Sequence, residues 1–314
     1  MKILVTGAAG FIGSHIYNYL INNKYKVYGI DNLSRGNIKK IIDKQNFSKI
    51  DIRDKKGILK FLKKKGPFDV IIHQATIINE NIQSEDIEQD IDINLKATLN
   101  LINLACKFGL KRFIYASSIS VYGKIRNKLA TESIKEIPIN SYGICKLMVE
   151  KYINYLRKYK FNKLDYVILR YSNVYGPNQS DLGEVGVIRN FCKQIINKKK
   201  IFRHGSGKQI RDFIYISDVI DATIKSITTK NINSIYNICS GNSKSINYII
   251  SILKKISTVT FKVNFKKKFH DSEYFYFKAS NKLAYKKLKW RPKISLKQGI
   301  QNTFQNINEK KYKN

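Results

Sequence analysis

Short apolar runs of strand length alternate, from the first residue, with longer stretches whose apolar positions recur every three or four residues. Strands are predicted at 2–6, 26–30, 47–51, 69–73, 112–117 and 165–170, and helices at 11–23, 54–65, 91–108 and 142–159. That rhythm predicts an α/β fold, a doubly wound parallel sheet of the Rossmann kind with crossover helices on both faces. After Pro177 it changes to a glycine-containing loop, a helix near 187–197, a short strand at Phe213, a helix at 217–228 and a strand at 234–239. The expected division is a nucleotide-binding domain at 1–172 with a returning segment at about 212–238, and a smaller α/β substrate-binding lobe at 173–211 and 239–314. No internal repeat or low-complexity linker separates them.

The chain has 314 residues, 43% hydrophobic and 26% charged, enough for a large core without disulfides or structural metal. Cys106, Cys145, Cys192 and Cys239 form no C-x-x-C, and His15, His73, His204 and His270 are scattered, so no metal is expected. No run reaches the ~18 apolar residues of a spanning helix, and the N-terminal apolar stretch is too short for a secretory signal, which predicts a cytoplasmic protein off the membrane. The formal charge is +35, but 48 of the 58 basic residues are Lys spread along the whole chain. The runs at 63–65, 198–200 and 266–268 lack interleaved aromatics and read as solvated faces, so no specific nucleic-acid partner is expected.

The segment Gly7-Ala8-Ala9-Gly10-Phe11-Ile12-Gly13 joins the first strand to the first helix, the context a dinucleotide fingerprint requires. Gly7 permits the tight turn, Gly10 lets backbone approach a pyrophosphate, and Gly13 lets the helix pack on its strand. The helix N-terminus supplies N–H groups and partial positive charge to phosphate. Asp31 follows 18 residues after Gly13, at the end of the second strand, where a carboxylate accepts ribose hydroxyls and repels a 2′-phosphate. NAD is therefore expected rather than NADP, with Arg35 nearby pulling the other way.

Tyr142 and Lys146 lie one helical turn apart, so the ammonium lowers the phenol's pKa. Spacing alone carries little, because chance yields roughly 3 such pairs in this composition, and the chain also holds Tyr159/Lys163, Tyr274/Lys278 and Tyr285/Lys289. Only Tyr142 follows a strand ending in Ser117-Ser118, with a loop long enough to fold back over the carboxyl edge where doubly wound sheets bind ligands.

Segments that run in order along the chain resemble the extended short-chain dehydrogenases, and among them the UDP-glucose 4-epimerase group most closely. They are T-G-A-A-G-F-I-G at 6–13, D-N-L-S-R-G at 31–36, D-I-R-D at 51–54, S-S-I-S-V-Y-G at 117–123, Y-G-I-C-K at 142–146, R-Y-S-N-V-Y-G-P at 170–177, R-D-F-I-Y-I-S-D-V at 211–219 and Y-N-I-C-S-G at 236–241. The resemblance implies Ser118, Tyr142 and Lys146 as the catalytic group. It implies Gly7, Gly10, Phe11, Ile12 and Gly13 at the NAD pyrophosphate and Asp31, Asn32 and Ser34 at the ribose. Asp51 and Ile52 would flank the adenine, and Ala75 and Asn94 would lie near the nicotinamide half beside Tyr142 and Lys146. Asn173 and Arg211, with Ser118 and Tyr142, would contact a nucleotide-sugar, most closely a UDP-hexose.

Related dehydratases and decarboxylases carry an acid one or two places after the catalytic Ser or Thr, whereas this chain has Ile119 and Ser120. Elimination then lacks its proton donor, leaving oxidation and re-reduction at one carbon, the chemistry of a 4-epimerase. Alternatives are another nucleotide-sugar epimerase, acting on UDP-N-acetylglucosamine or UDP-glucuronate, a net oxidoreductase, and a non-catalytic nucleotide sensor. Two departures stand out. No Arg occurs between Arg211 and Arg291, where the family commonly has one near 270–273, and His73-Gln74-Ala75-Thr76 is more polar than usual. Finally, the helices 91–108 and 142–159, with Met148, Tyr152, Tyr155 and Leu156 beyond what one sheet face covers, predict a homodimer through a four-helix interface.

Overall fold

In the first strand, β1 (Lys2–Thr6), Ile3 and Val5 point to one face and Leu4 to the other, and all three are fully buried. A strand apolar on both faces must lie between two layers of helix, as parallel strands do. The structure, a computed structural model, describes residues 1–78, 84–125, 128–179, 186–266 and 276–312. β1 is followed by α1 (Phe11–Asn22), β2 (Lys26–Asp31), β3 (Phe47–Lys49), α2 (Lys55–Lys65), β4 (Val70–His73), α3 (Ser84–Asp90), a π-type turn (Ile91–Ala97) leading into α4 (Thr98–Lys107), and β5 (Arg112–Ser118). Then come β6 (Leu129–Ala130), α5 (Ser141–Tyr159), β7 (Asp165–Tyr171), β8 (Asn173–Tyr175), α6 (Val187–Ile196), β9 (Ile201–His204), β10 (Ile210–Arg211), β11 (Phe213–Tyr215), α7 (Ile216–Thr228) and β12 (Ser234–Ile238). β13 (Lys244–Ser245), α8 (Ile246–Ile256), β14 (Val263–Lys266), β15 (Lys278–Ala279) and α9 (Leu296–Tyr312) complete the described strands and α-helices.

Seven parallel strands form the central sheet in the order β12-β7-β5-β4-β1-β2-β3. The expected doubly wound sheet is present, with β12 as a returning edge strand. One face packs on α1 and α7 through Ile16, Leu20, Val219 and Ala222. The other packs on α2, α4 and α5 through Ile58, Leu62, Leu101, Ile102, Val149 and Ile153. A third cluster joins Ile188, Phe191 and Ile195 of α6 to Ile249 and Leu253 of α8 and Ile300 of α9, beyond the sheet's carboxyl edge.

Two elements differ from expectation. β3 ends at Lys49 because Asp51 turns its carboxylate back onto the backbone N–H of Arg53, which closes a turn. The helix expected at 91–108 opens with the wide π-type turn and becomes α-helical only at Thr98. The chain steps outward from β1 to β2 and β3 on one side, and from β4 to β5, β7 and β12 on the other. The connections after β1 and β4 therefore diverge at the carboxyl edge and leave a crevice between them.

Candidate active site

The crevice begins where the first connection meets the backbone of the fourth. Gly7 has φ +65°, and a Cβ there would fall 2.7 Å from the Ala75 nitrogen; at Gly13 a Cβ would fall 2.0 Å from the Gly7 carbonyl oxygen. Glycine is thus required at both positions by close backbone approach. Helix α1 then starts at Gly10 with no side-chain cap and no acid in its first turn. Among the described residues no side chain caps its first turn, whose N–H groups and dipole suit an anionic pyrophosphate.

Asp31 ends β2 with one carboxylate oxygen accepting the Ala9 N–H at 3.0 Å and the other the Leu33 N–H at 2.7 Å. It therefore holds the glycine turn as well as facing the cleft. Burial raises its pKa, and these backbone donors pull it back down. Beside it, Asn32 donates to Asp51 at 2.8 Å, and Arg53 grips Asp51 through two nitrogens at 3.0 and 2.8 Å. That grip, with Asn32, holds Asp51 down to about 2.

Deeper in, His73 ends β4 wholly buried between the hydroxyls of Thr6 (2.8 Å) and Thr98 (2.9 Å), and burial, with the charge of Lys146, pushes it down to about 3. It is a neutral spacer. After it, Gln74 donates to the Tyr171 hydroxyl at 3.2 Å, and that hydroxyl meets Thr223 at 2.8 Å, which ties β4 to β7 across the end of β5.

At the end of β5, Ser118 Oγ lies 3.0 Å from Ser120 Oγ and accepts the Ser120 N–H at 3.1 Å. Helix α5 rises beside it, capped by Asn140, whose side chain accepts the Gly143 N–H at 2.8 Å. Its buried face carries Tyr142 and Lys146. The Lys146 ammonium donates to the Ala116 carbonyl at 2.7 Å and lies 5.5 Å from the centre of the Tyr142 ring and 4.9 Å from that of Tyr115. Burial lowers its pKa to about 7, against the upward pull of Cys145 and Glu150.

Together these residues line one cleft of about 700 Å³. Gly7, Gly10, Phe11, Ile12, Gly13, Asp31, Asn32, Ser34, Asp51, Ile52 and Ala75 lie along one part of it, and Ser118, Tyr142, Lys146, Asn173 and Arg211 along the rest. The far wall adds Asn190 and Phe191 of α6, Phe202 and His204 of β9, and Gln209. The uncapped helix end, the two backbone approaches and Asp31 fit a dinucleotide with its pyrophosphate at Gly10–Gly13, and the length of the cleft leaves room for a second ligand.

Some expected residues sit elsewhere. Asn94 does not line the cleft: it donates to the Ile77 carbonyl at 3.0 Å and accepts from Ile77 N–H at 2.9 Å and Thr76 at 2.7 Å, because the connection after β4 needs its backbone groups satisfied. Leu156, expected at a subunit interface, is buried in the core with Val149 and Ile153. Beside Arg211, the fully buried Asp212 carboxylate takes Ser172 at 2.7 Å and the hydroxyl and N–H of Ser240 at 2.8 Å. His270, Lys267, Lys268, Tyr274 and the 270–273 position lie outside the described residues. Sequence reasoning missed Asn140, whose place before Ser141 is an N-cap signature, and Gln209, which carried no local signal.

A family model described as the NAD dependent epimerase/dehydratase family matches residues 3–239. The chain belongs to that family. A provisionally named UDP-glucose 4-epimerase of Methanocaldococcus jannaschii is 38% identical over 95% of each chain. Among solved structures, the UDP-glucose 4-epimerase of Thermotoga maritima with UDP-glucose superposes with a TM-score of 0.94 at 30% identity, covering 99% of each chain. The UDP-glucuronic acid 4-epimerase of Bacillus cereus, in complex with UDP-glucuronic acid and NAD, gives 0.87 at 33% identity over 98% of this chain and 99% of that one. Family members are NAD dependent, and the glycine turn, Asp31 and the uncapped helix end of this chain are consistent with that cofactor.

Proposed function

We propose that this chain is an NAD-dependent 4-epimerase of a UDP-hexose, interconverting UDP-glucose and UDP-galactose. The observation that carries the chemistry is the placement of acids. Among the described residues that line the cleft, the only carboxylates are Asp31, beside the glycine turn, and Asp51, bonded to Asn32, while Ile119 and Ser120 follow Ser118. A phenol, an ammonium and a hydroxyl without an adjacent acid suit reversible oxidation of an alcohol and do not supply the proton that elimination requires.

Bound NAD would supply the hydride acceptor and donor for the sugar's C4, held by Gly7, Gly10–Gly13 and Asp31. Tyr142 takes the proton of the 4-hydroxyl and returns it after the keto-sugar has turned over. Lys146 stabilises the phenolate by its charge from below the ring while its own proton is fixed on the Ala116 carbonyl. Ser118 hydrogen-bonds the reacting oxygen by giving up its contact with Ser120, and Asn173 and Arg211 hold the sugar and diphosphate. In this reading, residues 1–172 with 212–238 bind NAD and the remainder binds the substrate.

A homodimer accompanies this reading. Ile144, Met148, Tyr152, Tyr155 and Tyr159 form an exposed stripe on α5, with Tyr155 and Tyr159 ring centres 5.3 Å apart. A monomeric mass by light scattering at micromolar concentration would count against it. Among the described residues no helix is long and apolar enough to cross a membrane.

The test is product analysis of the purified protein with UDP-glucose, UDP-galactose, UDP-N-acetylglucosamine and UDP-glucuronate. Interconversion of the first two without net NADH is expected. Turnover of only one of the others would move the sugar assignment, and stoichiometric NADH would make the enzyme a dehydrogenase.

A further inference from the structure

Three successive residues at the end of β5 are each engaged, and two of them by α5. Ala116 accepts Lys146 through its carbonyl, Ser117 donates its hydroxyl to Glu150, and Ser118 faces the cleft. Lys146 and Glu150 are one turn apart on the buried face of α5, both 2% exposed. Glu150 is held in turn by Arg170 of β7, fully buried, through two hydrogen bonds at 3.0 and 2.6 Å. The same guanidinium reaches Glu136 at 2.7 Å and lies 4.8 Å from the centre of the Tyr122 ring.

This is more than a packing device, because of what else surrounds Lys146. Its own helix offers Tyr142, Cys145 and Glu150; β5 offers the Tyr115 ring and the Ala116 carbonyl. From β4 comes His73, which burial keeps neutral, and from β7 comes Arg170, whose charge is engaged by Glu150 and Glu136. Asp90 of α3 lies on the Cys145 side of the helix. Glu150 is the buried carboxylate that shares a helix face with Lys146, and its orientation is fixed by two other elements.

We infer that Glu150 is a positioning residue for the proton-handling pair: clamped by Arg170, it ties the Ser117-Ser118 end of β5 to α5 and places a carboxylate on the buried helix face that carries Lys146. The inference rests on the reading of Tyr142 and Lys146 given above. In that reading activity falls as pH rises through the Lys146 pKa, since the phenolate loses its partner. Removing the Glu150 charge lowers that pKa, so the alkaline limb of kcat moves to lower pH.

The experiment compares kcat against pH for the parent, Glu150→Gln, and the double variant Glu150→Gln/Arg170→Met. Gln keeps an acceptor for Ser117 and loses the charge. The double variant covers the case in which an unpaired buried Arg170 prevents folding, because replacing a buried ion pair by neutral groups of similar volume is often tolerated. A downward shift of the alkaline limb in Glu150→Gln, with KM unchanged, supports the inference. The double variant removes a negative and a positive charge together, so it should lower kcat through the lost Arg170 clamp while its limb stays near the parent's. A folded Glu150→Gln with an unmoved limb, or a folded double variant with the parent's kcat, overturns it. A parent inactive on every UDP-sugar would instead sink the functional reading, so the two failures are told apart.

Discussion

Around β5 and α5 the cleft is backed by a chain of buried polar contacts: Lys146 on Ala116, Ser117 on Glu150, Glu150 on Arg170. Along α6 and β9 the opposite wall is made of apolar side chains and partly open polar ones, such as Phe202 at 40% exposure and the exposed His204. In the first region the geometry is fixed by the fold before any ligand arrives, and a buried group that loses its partner is costly. In the second, adjustment is cheap. Substitutions in the first should therefore be read in rate or cofactor binding, and those in the second in substrate affinity.

The largest effect should come from Tyr142→Phe. It keeps the ring packed and removes the group that moves the proton, so kcat should fall by ~10² to 10⁴ while NAD binding persists. Lys146→Ala should also lose activity and shift the optimum to higher pH, because the phenol is no longer acidified. Tyr159→Phe, at the same spacing from Lys163 but 67% exposed, is the control and should match the parent. Undiminished epimerisation by Tyr142→Phe would overturn the mechanism.

How far these assignments could be read from the sequence depended on distance along the chain. The glycine turn, Asp31 and the Tyr142/Lys146 pair are local patterns beside recognisable strands, and the fold places them along one cleft. Arg170 with Glu150 and Glu136 was invisible, since its partners lie 20 and 34 residues away on other elements. Leu156 could have been read correctly. Tyr142, Lys146, Val149, Ile153 and Leu156 recur by fours and threes as one buried stripe, whereas Ile144, Met148, Tyr152, Tyr155 and Tyr159 form the exposed one. That Asn94 also supports the connection after β4 was not legible: it sits in a π-type turn, which nothing in the pattern of apolar positions announces.

Next in size is Asp31→Ala. On the proposed reading it would remove charge-assisted bonds to the ribose, each worth about 1.5 to 3 kcal/mol, and it also releases the Ala9 and Leu33 N–H groups that fix the glycine turn. NAD affinity should fall at least tenfold by fluorescence titration, and an unchanged affinity would remove Asp31 from the site. In β10, directly after Gln209 of the opposite wall, Arg211→Ala should raise KM for the UDP-sugar by roughly tenfold and leave kcat near the parent value, the signature of lost uniform binding. A fall in kcat with KM unchanged would mean that the second wall is as pre-set as the first, and the contrast between them would fail.

The smallest effect sharpens the contrast from its rim, where an ion pair of the same chemistry as Arg170–Glu150 sits in water. Asp51 and Arg53 are 2.8 Å apart with side chains 25% and 49% exposed, so solvent screens them and the pair should contribute no more than ~1 kcal/mol. Its sign with pH is nonetheless definite. The Asp51 pKa is held at about 2, below the ordinary 3.8, so the carboxylate's contribution is complete above that ordinary value and is lost as pH falls through 2. Asp51→Asn should therefore lower Tm by about 2 °C or less at pH 7, and the gap to the parent should narrow below pH 4. No gap at pH 7 would show that Asp51 acts through its hydrogen bonds to Asn32 and the Arg53 backbone, which asparagine can still accept, and not through its charge.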